Sequence, residues 1–424
     1  MNFLNTTWYE NDQTKVDRSF VQGRYAVETV VVGAGYAGLS LAKQLASHGR
    51  EVIVLEANRI GGGASGRNGG FVNAGFAESL EAIYRRSGKA TARELYARSR
   101  YGVQKVRNFV EALCPDAKHG EGCLTVSLFR NRELEDEQKM LAREFNHRVA
   151  AIGTKELRAL LHTDRYTHAI LDQESFQIDP YRFVTSLAAA VEASGAKVYE
   201  NSRVISVNKA SHGYQVCTPE AEISCQQLVM TSNVDHCRPD CRPYPPLQRA
   251  ILPVSTYIAV TAPMTARSNP IATSHGVIDT RRAGNYYRVL PDNRILWGGQ
   301  IKVGARLPSR LDAVMRRDMC SIYPELADCE FDFVWGGVMG YALHKMPLVG
   351  QYKNGIWYAS AFGGHGINTA TLAGEMVADA ILKNDKSWQL FADFAPRWAG
   401  SFAGRLGVEC SYRWMKIRDR MQAV

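Results

Sequence analysis

The chain has 424 residues, 46% hydrophobic and 22% charged, with 51 Lys and Arg against 42 Asp and Glu. Those proportions describe a globular protein long enough for two domains and exclude a disordered or low-complexity chain. The formal charge of +9 is spread along the sequence until the C-terminal end, so it leaves no footprint for nucleic acid.

Nine cysteines, an odd number with no paired spacing, point to free thiols in a reducing cytoplasm. His236, Cys237 and Cys241 in HCRPDC have no second cysteine pair to complete a zinc site, and no metal is expected. The first 26 residues are polar and lack the apolar core of a signal peptide. The longest apolar stretch, Val30 to Ala42, is too short and too rich in glycine to cross a bilayer.

Met1 to Ala26 reads as an extended arm lying on the surface. Thr29 to Val32 is a short β-branched run of the kind buried in parallel sheets. Gly33, Gly35 and Gly38 follow in G-x-G-x-x-G spacing, then a helical pattern through Ala46, with Gly49 as its C-cap. Val52 to Leu55 is a second strand, and Glu56 stands eighteen positions after Gly38. Each part has a physical role: the first glycine turns the chain, the second admits a pyrophosphate, and the third lets helix pack on strand. The helix N-terminus offers unpaired N–H groups to phosphate, and the acid accepts from ribose hydroxyls. Because all five parts stand in register, this stretch is a dinucleotide site.

The next stretch, GGGASGRNGG, holds Ser65, Arg67 and Asn68 among glycines and reads as a second cofactor-contacting loop. Glu78 to Leu113 is helical and ends at Cys114-Pro115. Glu121 to Phe129 is a strand, and Glu133 to Val149 a charged surface helix. Ala169 to Ile178 suggests a strand pair, and Pro180 suits the first position of a helix through Ala193. Short strands follow, ending at Leu228 to Thr231. A Pro- and Arg-rich crossing, Cys237 to Pro253, leads to strands at Val254–Thr261, Gly276–Thr280, Asn285–Leu290 and Arg294–Gln300. In NYYRVL a period of two puts Tyr286 and Arg288 on one face, and Asn285 and Tyr287 on the other. Arg306 to Met319 is helical and Phe331 to Gly340 a strand. Ile356 to Ala361 is a strand, Gly363 to Gly366 a turn containing His365, and Asn368 to Leu382 a helix whose N-terminus faces a bound group. The tail from Phe394 is a basic amphipathic helix, read as packing on the core in preference to a membrane surface.

VVVGAGYAGLSLA…VIVLEA, GASGRNGG, NYYRVLPDNRILWGG and GGHGINTATLAGE together resemble the FAD-dependent amine and amino-acid oxidases, the family of D-amino-acid, glycine and sarcosine oxidases. Within that family the motifs are most similar to the γ-glutamylputrescine oxidase group. The resemblance implies an α/β fold: a Rossmann-like FAD-binding domain (1–80, 150–235, 336–395), an antiparallel-sheet substrate domain (81–149, 236–335) and a basic C-terminal helix (396–424). It implies that Gly33, Ala34, Gly35, Tyr36, Ala37, Gly38, Glu56 and Ala57 hold the ADP half of FAD. Ala64, Ser65, Arg67, Asn68, Gly69 and Gly70 would lie by the flavin, and Val204, on a strand, by the adenine. Gly363, Gly364, His365, Gly366, Ile367, Asn368 and Thr369 would follow the pyrimidine edge. Some relatives tether the flavin through a His or Cys; the loop after Gly63 has neither, so noncovalent FAD is expected.

The implied reaction is oxidation of an amine C–N bond to an imine by hydride transfer to flavin, with dioxygen as acceptor. The flavin does the chemistry, so no catalytic residue is assigned. Tyr286, Arg288 and His365 are the candidate substrate contacts. Relatives acting on small α-amino acids commonly clamp the carboxylate with an Arg in a Gly-x-Arg-Pro segment. The corresponding WGGVMGYALHKMPLVG has no arginine, which favours an amine whose acid group is remote, as in γ-glutamylputrescine. Open alternatives are an oxidase of a cyclic secondary amino acid such as L-pipecolate, a dehydrogenase passing electrons to a membrane quinone, and a flavin-binding sensor or assembly subunit without turnover.

Overall fold

The computed structural model describes residues 7–10, 16–234, 244–265, 268–281, 284–304 and 308–422. Two sheets share seventeen strands among these residues. The first sheet runs β16 (Leu348–Gln351), β17 (Trp357–Ser360), β10 (Ala221–Met230), β1 (Gly23–Val32), β2 (Val52–Leu55) and β7 (Lys197–Tyr199), with the hairpin β8 (Ser206–Lys209) and β9 (Tyr214–Cys217) joined to β10. β1 lies parallel between β2 and β10, pairing Val31 with Val54 and Val229. Its last four residues are buried, as expected of a strand covered on both faces.

Helices α1 (Tyr36–Ser47), α3 (Leu80–Leu113), α6 (Pro180–Ala193) and α9 (Gly366–Lys383) form one layer on this sheet. Leu39, Val103, Val106, Leu187 and Val377 meet in its core. Asp179 caps α6 by accepting from Arg182 N at 2.8 Å, with Pro180 at the first helical position. On the other face Tyr214 and Val216 of the hairpin pack with Leu247 of the short α7 (Pro245–Gln248).

The second sheet runs β15 (Phe331–Tyr341), β11 (Leu252–Thr261), β14 (Ile295–Val303), β13 (Tyr286–Val289), β12 (Gly276–Asp279), β4 (Lys118–Ser127), β6 (His168–Ile178) and β3 (Phe71–Val72), with β5 (Ala150–Ile152) on β6. It is antiparallel except where β12 meets β4. Leu157 of α5 (Thr154–Leu160) and Met315 and Met319 of α8 (Leu311–Cys320) cover one face, over Tyr287 stacked on Trp297 with ring centroids 4.4 Å apart. Tyr286 and Arg288 therefore point the other way, toward the first domain, as strand alternation predicts. Three further helices complete the chain: α2 (Ala64–Arg67), α4 (Glu133–Phe145) and α10 (Ser401–Gln422).

Several sequence expectations change. Ala169–Ile178 is one strand of the long β6, not a pair, because it is hydrogen-bonded to β3, β4 and β5. α4 stops at Phe145, where Asn146 turns left-handed with φ 47°. β5, β6 and the end of β15 belong to the second sheet, whereas α3 packs on the helices of the first. The N-terminal arm is not confined to the surface: Tyr9 is 2% exposed and packs beside Trp335. HCRPDC lies outside the described residues. Among the described residues no group of His, Cys, Asp or Glu could hold a metal, and no helix is long and apolar enough to cross a membrane.

α1 and α9 cross where Gly374 meets the backbone of α1. A Cβ there would stand 2.2 Å from Ala37 O and 3.0 Å from Leu41 N. Gly374→Val should force the helices apart and cost about 1–3 kcal/mol of stability. Chemical denaturation checks it against Gly407→Ala, where an added Cβ meets nothing within 4 Å. Equal stability of the two variants would contradict the close crossing.

Candidate cofactor and substrate site

A cavity of about 870 Å³ runs from the C-terminal ends of β1, β2 and β10 to the inner face of the second sheet. This is the edge at which open α/β sheets bind ligands. α1 and α9 both begin at it, and neither N-cap residue, Gly35 or His365, caps its helix with a side chain. Their positive ends therefore converge on one space, an arrangement suited to an anionic or electron-accepting group.

Glu56 stands at the end of the cavity beside β2. Its Oε2 accepts from Ala34 N at 2.9 Å and its Oε1 from Asn58 N at 3.0 Å, so the carboxylate braces the turn after β1 as well as facing the cavity. Ser65 Oγ accepts from Tyr36 N at 3.2 Å, tying α2 to the start of α1. Asn68 folds back onto α2 through Ala64 O and Ser65 O at 3.0 and 2.9 Å, and its Oδ1 accepts from Gly70 N at 2.8 Å. Arg67 Nε donates to Gly336 O, and Trp335 Nε1 donates to Arg67 O, which fastens the loop to β15. The glycine-rich stretch is thus held at both ends and is no linker.

Gly33, Ala34, Gly35, Tyr36, Ala37, Glu56, Ala57, Ala64, Ser65, Arg67, Asn68, Gly69, Val204, Tyr286 and the run Gly363 to Asn368 all line the cavity. Val204 does so from the irregular segment before β8, not from a strand. Gly38, Gly70, Thr369 and Arg288 stand behind the wall. A Cβ on Gly38 would meet Gly33 O at 2.0 Å, so its place is to seat α1 on β1. Thr369 donates its hydroxyl to His365 O one turn back.

Arg288 is the main departure. It shares a face with Tyr286, but Gly70 lies over it, and a Cβ there would stand 2.8 Å from Nη2. The guanidinium, 1% exposed, donates from Nη2 to Ile178 O at 2.7 Å and to Tyr9 Oη at 3.2 Å. Its Nη1 lies 3.2 Å from His119 Nδ1. Burial, helped by Arg288, holds the His119 pKa down to about 3, so the ring is neutral and Nδ1 accepts. Burial pushes the Tyr9 hydroxyl up to about 12 despite the guanidinium beside it. Arg288 is a buried strut under the loop, not a contact for a ligand.

A different set of residues carried no signal in the sequence. Arg281, just past β12, lines the cavity with Asp279, whose side chain is fully buried. Asp279 takes Nε at 3.1 Å and Nη2 at 2.5 Å, and also accepts from Arg281 N and Asn285 N. Asn73, Asn233, Lys345, Tyr341 and Tyr412 complete the wall, the last from α10. Asn73 Oδ1, Asn233 Oδ1, Asn285 Nδ2 and His365 Nδ1 are buried along this cavity without a hydrogen-bond partner. Native interiors rarely leave such atoms unpaired, so the four mark positions where a bound molecule completes the bonding. With a cavity of this volume, two helix N-termini directed at it and an acid just past β2, the residues fit a flavin dinucleotide. His365 keeps part of its surface open to the cavity, yet enclosure of the ring pulls its pKa down to about 4.

Fold and cavity together suit a flavin oxidoreductase. The chain belongs to the FAD dependent oxidoreductase family, which it matches over residues 28–380. It is 29% identical to the γ-glutamylputrescine oxidoreductase of Escherichia coli K12 over 374 residues, 86% of each chain. Its fold is that of glycine oxidase from Geobacillus kaustophilus, with a TM-score of 0.73 at 18% identity, covering 88% of this chain and 99% of the other. The L-proline dehydrogenase of P. horikoshii gives a TM-score of 0.69 at 19% identity, covering 88% and 97%. The protein is an enzyme and its cofactor is FAD.

His365 and His344 both have folded-state pKa values lowered to about 4, chiefly by burial. An unfolded chain takes up these protons first as pH falls, so their contribution is present at neutral pH and lost between about 6.5 and 4. Stability should fall by up to about 3 kcal/mol per histidine over that window. Denaturation of the apoprotein at pH 7 and pH 5 checks this, with His344→Asn flattening the slope. A slope unchanged in the variant would contradict it.

Proposed function

We propose that the enzyme oxidises the C–N bond of an amine whose acid group lies far from the reacting carbon, giving an imine, with dioxygen as acceptor. The observation that carries this reading is the position of cavity cations. Trp335 to Gly350, the segment expected to clamp a carboxylate beside the reacting carbon, contains no arginine, and Lys345 is the cation it brings to the cavity. Arg281 lines the cavity from the second sheet, pre-oriented by Asp279, with its Nη1 unengaged by the described residues. Such a guanidinium suits a carboxylate carried on the end of a chain. The similarity to γ-glutamylputrescine oxidoreductase supports the same substrate class.

When bound, FAD supplies the two-electron acceptor for the hydride beside the nitrogen. The chain's own part is to hold and orient the amine. α9 directs its positive end into the cavity, and Tyr286, wedged between Phe71, Gly69 and Gly298, forms a fixed wall. Burial keeps the Tyr286 hydroxyl protonated well above neutral pH. The two carboxylates on the described wall, Glu56 and Asp279, are held by backbone N–H groups and Arg281, so neither is placed as a free base. The amine is accordingly taken as the neutral species.

Arg281→Gln should raise KM for an amine with a terminal carboxylate by about 30- to 150-fold, equivalent to about 2–3 kcal/mol. The matching neutral amide should be almost unaffected. Arg288→Met should instead lower stability while leaving the acid-to-amide ratio unchanged. Equal effects of Arg281→Gln on both analogues would contradict the assignment. FAD is proposed to be noncovalent, since the loop from Gly61 to Gly70 contains no His or Cys. Acid precipitation should leave a colourless polypeptide and free FAD; flavin retained on the pellet would contradict this.

A further inference from the structure

α10 has two faces with different tasks. Glu409, Tyr412 and Asp419 lie toward the protein: Glu409 accepts from Val303 N, Tyr412 lines the cavity and Asp419 is 8% exposed. Leu406, Cys410, Trp414, Ile417 and Met421 recur at spacings of four, four, three and four, which places them along one stripe of a helix. All five are exposed, Trp414 at 62% and Met421 at 77%. Trp398, just before the helix, is 65% exposed.

The charge along this segment is one-sided. Arg397, Arg405, Arg413, Lys416, Arg418 and Arg420 stand against only Glu409 and Asp419 in sequence, and both acids belong to the inner face. A second copy of the chain would bring the same net-basic segment against itself. An anionic lipid surface supplies the missing charge and takes the apolar stripe into its headgroup boundary. We propose that α10 is an interfacial helix that docks the enzyme on an anionic bilayer, with Trp414 and Ile417 as its central anchors. This departs from the expectation that the amphipathic face is spent on the core, and it stands apart from the substrate reading because binding is measured without turnover.

The test is flotation of the FAD-loaded enzyme with vesicles of phosphatidylcholine and phosphatidylglycerol, and with phosphatidylcholine alone. Binding is expected to the anionic vesicles, to weaken with salt, and to fall at least about tenfold in Trp414→Ser/Ile417→Ser. Unchanged FAD content and melting temperature show that the variant is folded. No binding to anionic vesicles would overturn the proposal. So would a concentration-dependent dimer that the same double substitution abolishes, since a second copy would then cover the stripe.

Discussion

The structure depends on how closely α1 and α9 approach each other. Their crossing is a backbone contact, Gly374 against Ala37 and Leu41, with no room for a side chain. That contact lets two helices from opposite ends of the sequence start at one edge of one sheet. Both then direct their N-terminal ends at the same cavity. Glu56, the α2 loop and the second sheet are arranged around that pair of helix ends.

Much of this was legible because it repeats a local pattern. The strand, glycine spacing, helix and acid from Thr29 to Glu56 are all short-range features, and the structure holds them at the cavity in the same order. The alternation in NYYRVL separated Tyr287, stacked on Trp297, from Tyr286 at the cavity, but it misplaced Asn285, which precedes β13 and lines the cavity with Tyr286. What alternation could not say was depth. Tyr286 and Arg288 share a face, yet Gly70 covers one and not the other, and that depends on a loop more than two hundred residues earlier.

The other omissions have the same origin. Arg281 carries no motif; it matters because β12 ends at the cavity and Asp279 holds the guanidinium there. Tyr9 sits in an arm of polar composition and is buried only because Arg288 and Trp335 meet it from distant strands. Tyr412 reaches the cavity from a helix whose sequence advertises its charge. The unpaired atoms of Asn73, Asn233, Asn285 and His365 could be recognised only once their surroundings were known.

The central claim is that this cavity oxidises an amine with a remote acid group. It is tested most directly by mixing the FAD-loaded enzyme anaerobically with γ-glutamyl amines, polyamines, cyclic amino acids and simple α-amino acids, and following flavin absorbance. Rapid bleaching is predicted with an amine bearing a distant carboxylate, and slow bleaching with glycine or D-alanine. Fastest bleaching by glycine or D-alanine, or none by any amine, would contradict it.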